Sequence, residues 1–224
     1  MIKLIQAACQ WGQKDFDGWV IGKARYCIHS HSEPVSCESI PQKAARGYVL
    51  LETTSYDACR RPCQSLEICL VDIKVLRDSW GAKASTFPAS RAASPPTSGC
   101  MASGCMASGC MASGCMASGC MPGQMTMTFP QKCLDRFLAD SGDSNPIHHG
   151  PNAVIPGLWI LSRLEEMYGS HRPAETLSIR FLRPVHTGGS VRLEQKNNIV
   201  TGTMGSATCF TMTIHTSDQT QKRR

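Results

Sequence analysis

The sequence lacks any long apolar run. A membrane-spanning helix needs about 20 consecutive apolar residues, and no stretch of the 224 residues supplies them. The opening MIKLIQAACQWGQ holds one lysine and a very short apolar run, a poor match to an export signal. Without such a signal the thirteen cysteines read as reduced thiols rather than a disulfide framework, and the protein is expected to be cytoplasmic. Charge of one sign is scarce too. Divided at Met125, each part carries a formal +3, and in the second part Lys222, Arg223 and Arg224 account for all of it. A neutral body with a basic tip gives no electrostatic footprint for nucleic acid. Paired CxxC spacing is also missing. Cys59, Cys63 and Cys69, with His29 and His31, do not have the spacing of a zinc site. Neither a metal nor a cofactor is expected.

Cysteine itself is plentiful and unevenly placed, with eleven of the thirteen before Met125. The unit SGCMA occurs four times in full, placing cysteine at 100, 105, 110, 115 and 120. A five-residue step turns ~500° on an α-helix and changes face on a strand. Neither geometry gathers the thiols, so residues 91–124 read as a Gly/Ser-rich linker. Residues 1–90 show short apolar runs with no shared period. Strand signals arise only around Tyr48–Leu51 and Ile68–Leu76. This part is expected to be irregular or disordered, and one reading makes it a non-native upstream extension.

From Met125 the text changes. Leu134, Phe137 and Leu138 have helical spacing, and Gly142 stops them. Residues 158–168, LWILSRLEEMY, are apolar around most of a helix, which calls for burial on most sides. Gly169 and Pro173 close that helix. Alternating apolar residues then mark strands: Leu177, Ile179 and Phe181; Val191 and Leu193; the stretch NNIVTGTM; and Phe210, Met212 and Ile214. One buried helix before about four antiparallel strands predicts an α+β domain over 125–224, with a sheet wrapped on a central helix.

The chemistry-bearing stretch is SGDSNPIHHGPNAVIPG, residues 141–157. Pro146 between Asp143 and His148 excludes a shared helical face and favours a turn. A turn can aim a carboxylate and an imidazole at one water, and such a pair moves protons at neutral pH. Pro156-Gly157 opens the buried helix, whose first N–H groups have no intrahelical partner. Gly157 allows a carbonyl to approach that backbone. Acid, base and oxyanion donor are the parts needed beside a thioester carbonyl. His171, His186 and His215 fall near element ends and read as solvated; Cys133 and Cys209 read as core residues.

FLADSGDSNPIHHGPNAVIPGLWILS resembles the MaoC-like acyl dehydratases, which include the R-specific enoyl-CoA hydratases, and FLRPVHTGGSVRL resembles their strand pair. The likeness covers about residues 127–215. It implies the hotdog fold, and reversible addition of water to the 2,3 double bond of an enoyl thioester carried by CoA or an acyl-carrier protein. Carried over by position, Asp143 and His148 are the catalytic pair and Asn145 shapes the turn. Gly157 is the oxyanion donor, and Ser162 lies near the substrate. His149 has no place in the motif. Relatives pair edge to edge, so a homodimer is expected. A hotdog thioesterase and a non-catalytic thioester-binding module are the other readings.

Overall fold

The computed structural model describes residues 1–11, 18–45, 47–74, 125–169 and 175–215. The SGCMA tract, His171 and the basic tip lie outside them. In chain order the elements are α1 (Ile2–Gln10), β1 (Trp19–Ile28), β2 (Ser36–Ala45), β3 (Tyr48–Tyr56), β4 (Pro62–Asp72), β5 (Met125–Thr128), α2 (Gln131–Ser141) and a 3₁₀ turn (Pro146–His148). Then follow α3 (Gly157–Tyr168), β6 (Thr176–Phe181), β7 (Ser190–Lys196), β8 (Ile199–Met204) and β9 (Ala207–His215). The strands form one antiparallel sheet in the order β2-β3-β4-β1-β6-β9-β8-β7-β5. Among the described residues no helix is long and apolar enough to cross a membrane.

The helix and strands expected after Met125 are present, and α3 is the buried helix. Leu158, Trp159, Ile160, Leu161 and Leu164 are all buried. The rings of Phe129 and Phe137 pack on Trp159 at 5.1 and 5.6 Å. Strands β6 to β9 wrap this helix in the hotdog manner. Gly142 ends α2 in the left-handed conformation (φ 70°) that glycine adopts at little cost. Gly169 ends α3 differently: φ is −67°, and a Cβ there would stand 2.5 Å from the Glu165 carbonyl oxygen.

The expectation of an irregular N-terminal part is corrected by residues 2–72, which hold α1 and four strands of the same sheet. Two features hid their period. A bulge between Ile21 and Lys23 breaks the alternation of β1, so Ala24, Tyr26 and Ile28 point inward out of phase with the residues before them. In β3 the buried face is Val49, Leu51, Thr53 and Ser55, so counting apolar residues misses half of it. The hydroxyls are satisfied: Thr53 pairs with Ser39 at 2.9 Å, and Ser55 donates to the Gln64 carbonyl at 3.3 Å.

Strand β1 pairs with β6 from Lys23↔Arg180 to Cys27↔Thr176. The β6 edge of the C-terminal strands is therefore paired within the same chain, and the sheet of the described residues ends at β2 and β5. Helix α3 packs on both β1 and β6, across this seam. One hydrophobic core includes Leu4, Tyr26, Leu51 and Leu66 from the first part and Leu161, Leu177, Val200 and Phe210 from the second.

Candidate active site

The loop between α2 and α3 is built by short-range chemistry. Asn145 precedes Pro146, which starts the 3₁₀ turn, and the Asn145 Oδ1 accepts from the Ile147 N–H. The turn brings His148 back toward Asp143. Asp143 Oδ1 accepts the Asn145 N–H at 3.0 Å, which leaves Oδ2 facing His148 Nε2 at 3.6 Å. Both side chains are largely buried.

His148 Nδ1 stands 2.6 Å from the Val154 carbonyl oxygen. A carbonyl only accepts, so Nδ1 carries the hydrogen and Nε2 of the neutral ring offers a lone pair. Burial pushes the His148 pKa below its ordinary value, against the opposing pulls of the Asp143 carboxylate and the Val154 carbonyl. Two acceptors then face each other at a separation beyond a direct hydrogen bond. One water donating a hydrogen to each fits that geometry.

Asn145 does more than shape the turn. Its Oδ1 also accepts the Gly18 N–H at 3.1 Å, and its Nδ2 donates to the Trp19 carbonyl at 2.9 Å. The motif loop is thereby clasped to the start of β1, in the other part of the chain.

Asp143, Asn145, His148 and Gly157 all line one cavity of about 860 Å³. Gly157 is the first residue of α3, so its N–H has no partner within the helix. A Cβ on Gly157 would stand 3.1 Å from the Phe181 ring and 3.4 Å from Ile21 Cβ, which explains the glycine in packing terms as well. Ser162 is half-buried on α3 and does not line the cavity, so it is set apart from the other four. His149 is exposed and also outside the cavity.

Sequence reasoning missed the contribution of the first part of the chain. Cys9, Trp11, Trp19 and Ile21 line the cavity. Burial, and secondly the Asp143 charge, push the Cys9 thiol up to about 12. His186, read from the sequence as solvated, is half-buried and lines the cavity with its Nδ1 3.0 Å from the Asn152 carbonyl. Recognition of β1 as a strand would have signalled Trp19 and Ile21, and the bulge concealed it.

No protein-family model and no curated protein matches this sequence. Solved structures do. HtdX from Mycobacterium tuberculosis superposes with a TM-score of 0.56 at 13% identity, covering 94% of this chain and 83% of that one. A MaoC-like dehydratase gives 0.56 at 11%, covering 95% and 82%. Full-length peroxisomal multifunctional enzyme type 2 from Drosophila melanogaster gives 0.56 at 13%, covering 96% of this chain and 40% of that protein. The hotdog architecture of this chain is the one these proteins have, and the likeness extends over both parts of the sheet.

Proposed function

We propose that the chain is a hydro-lyase of the MaoC-like dehydratase type, adding water reversibly to an enoyl thioester. The observation that carries this is the pair of acceptors, Asp143 Oδ2 and His148 Nε2, 3.6 Å apart on the wall of a largely apolar cavity that also holds the start of α3. The water held between them bonds through oxygen to C3 of the enoyl group. One of the two groups takes a proton from it, and the pair returns a proton to C2, so the elements of one water are added. Charge that develops on the thioester oxygen during attack is met by the Gly157 N–H and the positive end of α3. His148 is suited to the base role because burial favours its neutral form. The dehydratase named among the structural neighbours agrees with this reading.

The test is an assay of the full chain with crotonyl-CoA and crotonyl-acyl-carrier protein. Loss of the conjugated thioester absorbance and appearance of the 3-hydroxyacyl product are expected. Release of free thiol without hydration would replace this reading with a thioesterase that directs the same water onto C1. Absence of both would leave only a binding module.

A further inference from the structure

We propose that His186 is a positioning residue for the proton-transfer pair: by holding the Asn152 carbonyl it steadies the segment whose Val154 carbonyl sets the tautomer of His148. This rests on Asp143 and His148 being the groups that handle the water. Residues 150–155 run between two parts of the fold. On one side they meet the motif turn. The Val154 N–H donates to the Ile147 carbonyl at 2.9 Å, and the Val154 carbonyl accepts from His148 Nδ1 at 2.6 Å. On the other side they meet the connection between β6 and β7. Val154 and His186 form an antiparallel bridge there. The Ile155 N–H donates to the Val185 carbonyl at 2.7 Å, and the Thr187 N–H donates to the Ala153 carbonyl at 3.0 Å.

Those backbone bonds fix Ala153 and Ile155 but stop short of Asn152. His149, Gly150, Pro151 and Asn152 are all exposed, and Gly150 takes a positive φ of 94°, so this stretch has little packing to hold it. The tie at its far end is the His186 side chain, whose Nδ1 stands 3.0 Å from the Asn152 carbonyl oxygen. A carbonyl only accepts, so Nδ1 is the donor. The two imidazoles are thus anchored alike, each through Nδ1, on carbonyls two residues apart. The tautomer of a histidine is set by the bond that its other nitrogen makes. While Val154 receives the Nδ1 hydrogen of His148, Nε2 keeps the lone pair that faces the water. If the Asn152 end is released, the Val154 carbonyl shifts off the line of that bond, which weakens steeply with misalignment. His148 then also adopts the form with hydrogen on Nε2, which presents a donor where the water needs an acceptor.

The test compares His186→Ala with His186→Asn in the full chain. Asparagine carries its amide nitrogen one atom beyond Cγ, where histidine carries Nδ1, so it can restore the bond to Asn152. In crotonyl-CoA hydration, His186→Ala should lower kcat about tenfold or more while KM changes by less than about twofold. His186→Asn should recover most of that loss. A second readout needs no turnover. Long-range ¹H–¹⁵N NMR of histidine-labelled protein at pH 8 reports which nitrogen of His148 carries the hydrogen, with His148→Gln assigning the signal. The wild type and His186→Asn should show the Nδ1–H form, and His186→Ala a mixture with the Nε2–H form. Thermal melts check the fold, and His186→Gln, whose donor lies one carbon too far out, replaces the alanine variant if that one fails to fold. An unaltered kcat, equal losses in the alanine and asparagine variants, or an unchanged His148 tautomer would overturn the proposal. So would a raised KM with kcat kept, which would make His186 a substrate contact instead. The expected NMR pattern in a wild type without hydration activity would refute the hydro-lyase reading alone.

Discussion

Replacing Asp143 with asparagine tests the mechanism most directly, because it changes one atom in the pair. Oδ1 can still accept from the Asn145 N–H, so the loop keeps its shape. At Oδ2, 3.6 Å from His148 Nε2, an acceptor becomes an NH₂ donor. The water then finds one acceptor where it had two, and a group able to carry a proton is gone. Loss of general acid–base help costs on the order of 10²–10⁴-fold, or roughly 3–5 kcal/mol of barrier. His148→Ala should cost a similar factor in kcat. The double variant should be little worse than either single, since both groups act on one water. A second signature is expected in pH. The Asp143 charge raises the His148 pKa against burial, so in Asp143→Asn the residual activity should keep its acid limb to a lower pH than in the wild type. The assay is crotonyl-CoA hydration followed spectroscopically from pH 4.5 to 8, with thermal melts to confirm folding. Near-wild-type kcat in Asp143→Asn, or single losses that multiply in the double variant, would refute the shared-water mechanism.

Asn145→Ala should unclasp the motif loop from β1 by removing the bonds that the side chain makes to the Gly18 N–H and the Trp19 carbonyl. The expected loss is about 1–3 kcal/mol in urea unfolding, with reduced activity. Burial favours neutral His148 in the folded chain, whereas the unfolded chain takes up a proton as pH falls through the ordinary 6.5. Its contribution to stability is complete above that pH and is lost as pH drops toward the lowered value. Urea midpoints should therefore fall from pH 7.5 to 5.5, by less in His148→Gln. Cys9, with its thiol pushed up to about 12, should react with iodoacetamide at pH 8 far more slowly than the exposed Cys59 and Cys133, as peptide mapping would show. A fragment of residues 125–224 leaves the β6 edge and the shared core uncovered, and should show no cooperative thermal transition.

The motif loop, the buried helix and strands β6 to β9 are legible in the amino-acid order. Those features are local: Pro146 forces the turn, the apolar circumference of residues 158–168 forces burial, and period-2 alternation marks each strand. Asp143 and His148 were legible for the same reason, being five residues apart in one turn. That residues 2–72 complete the sheet emerges only in the folded chain. A bulge reset the phase of β1, and threonine and serine occupy buried positions in β3, so neither carries an apolar period. Pairing of β1 with β6 joins residues some 150 apart in the chain, and no local pattern encodes such a register. That pairing makes α3 straddle two parts of one chain. It also brings Cys9, Trp19 and Lys23 to the cavity of Asp143. Ser162 shows the converse. Its place in the motif suggested the substrate, and the fold sets it half-buried on α3, outside the residues that line the cavity.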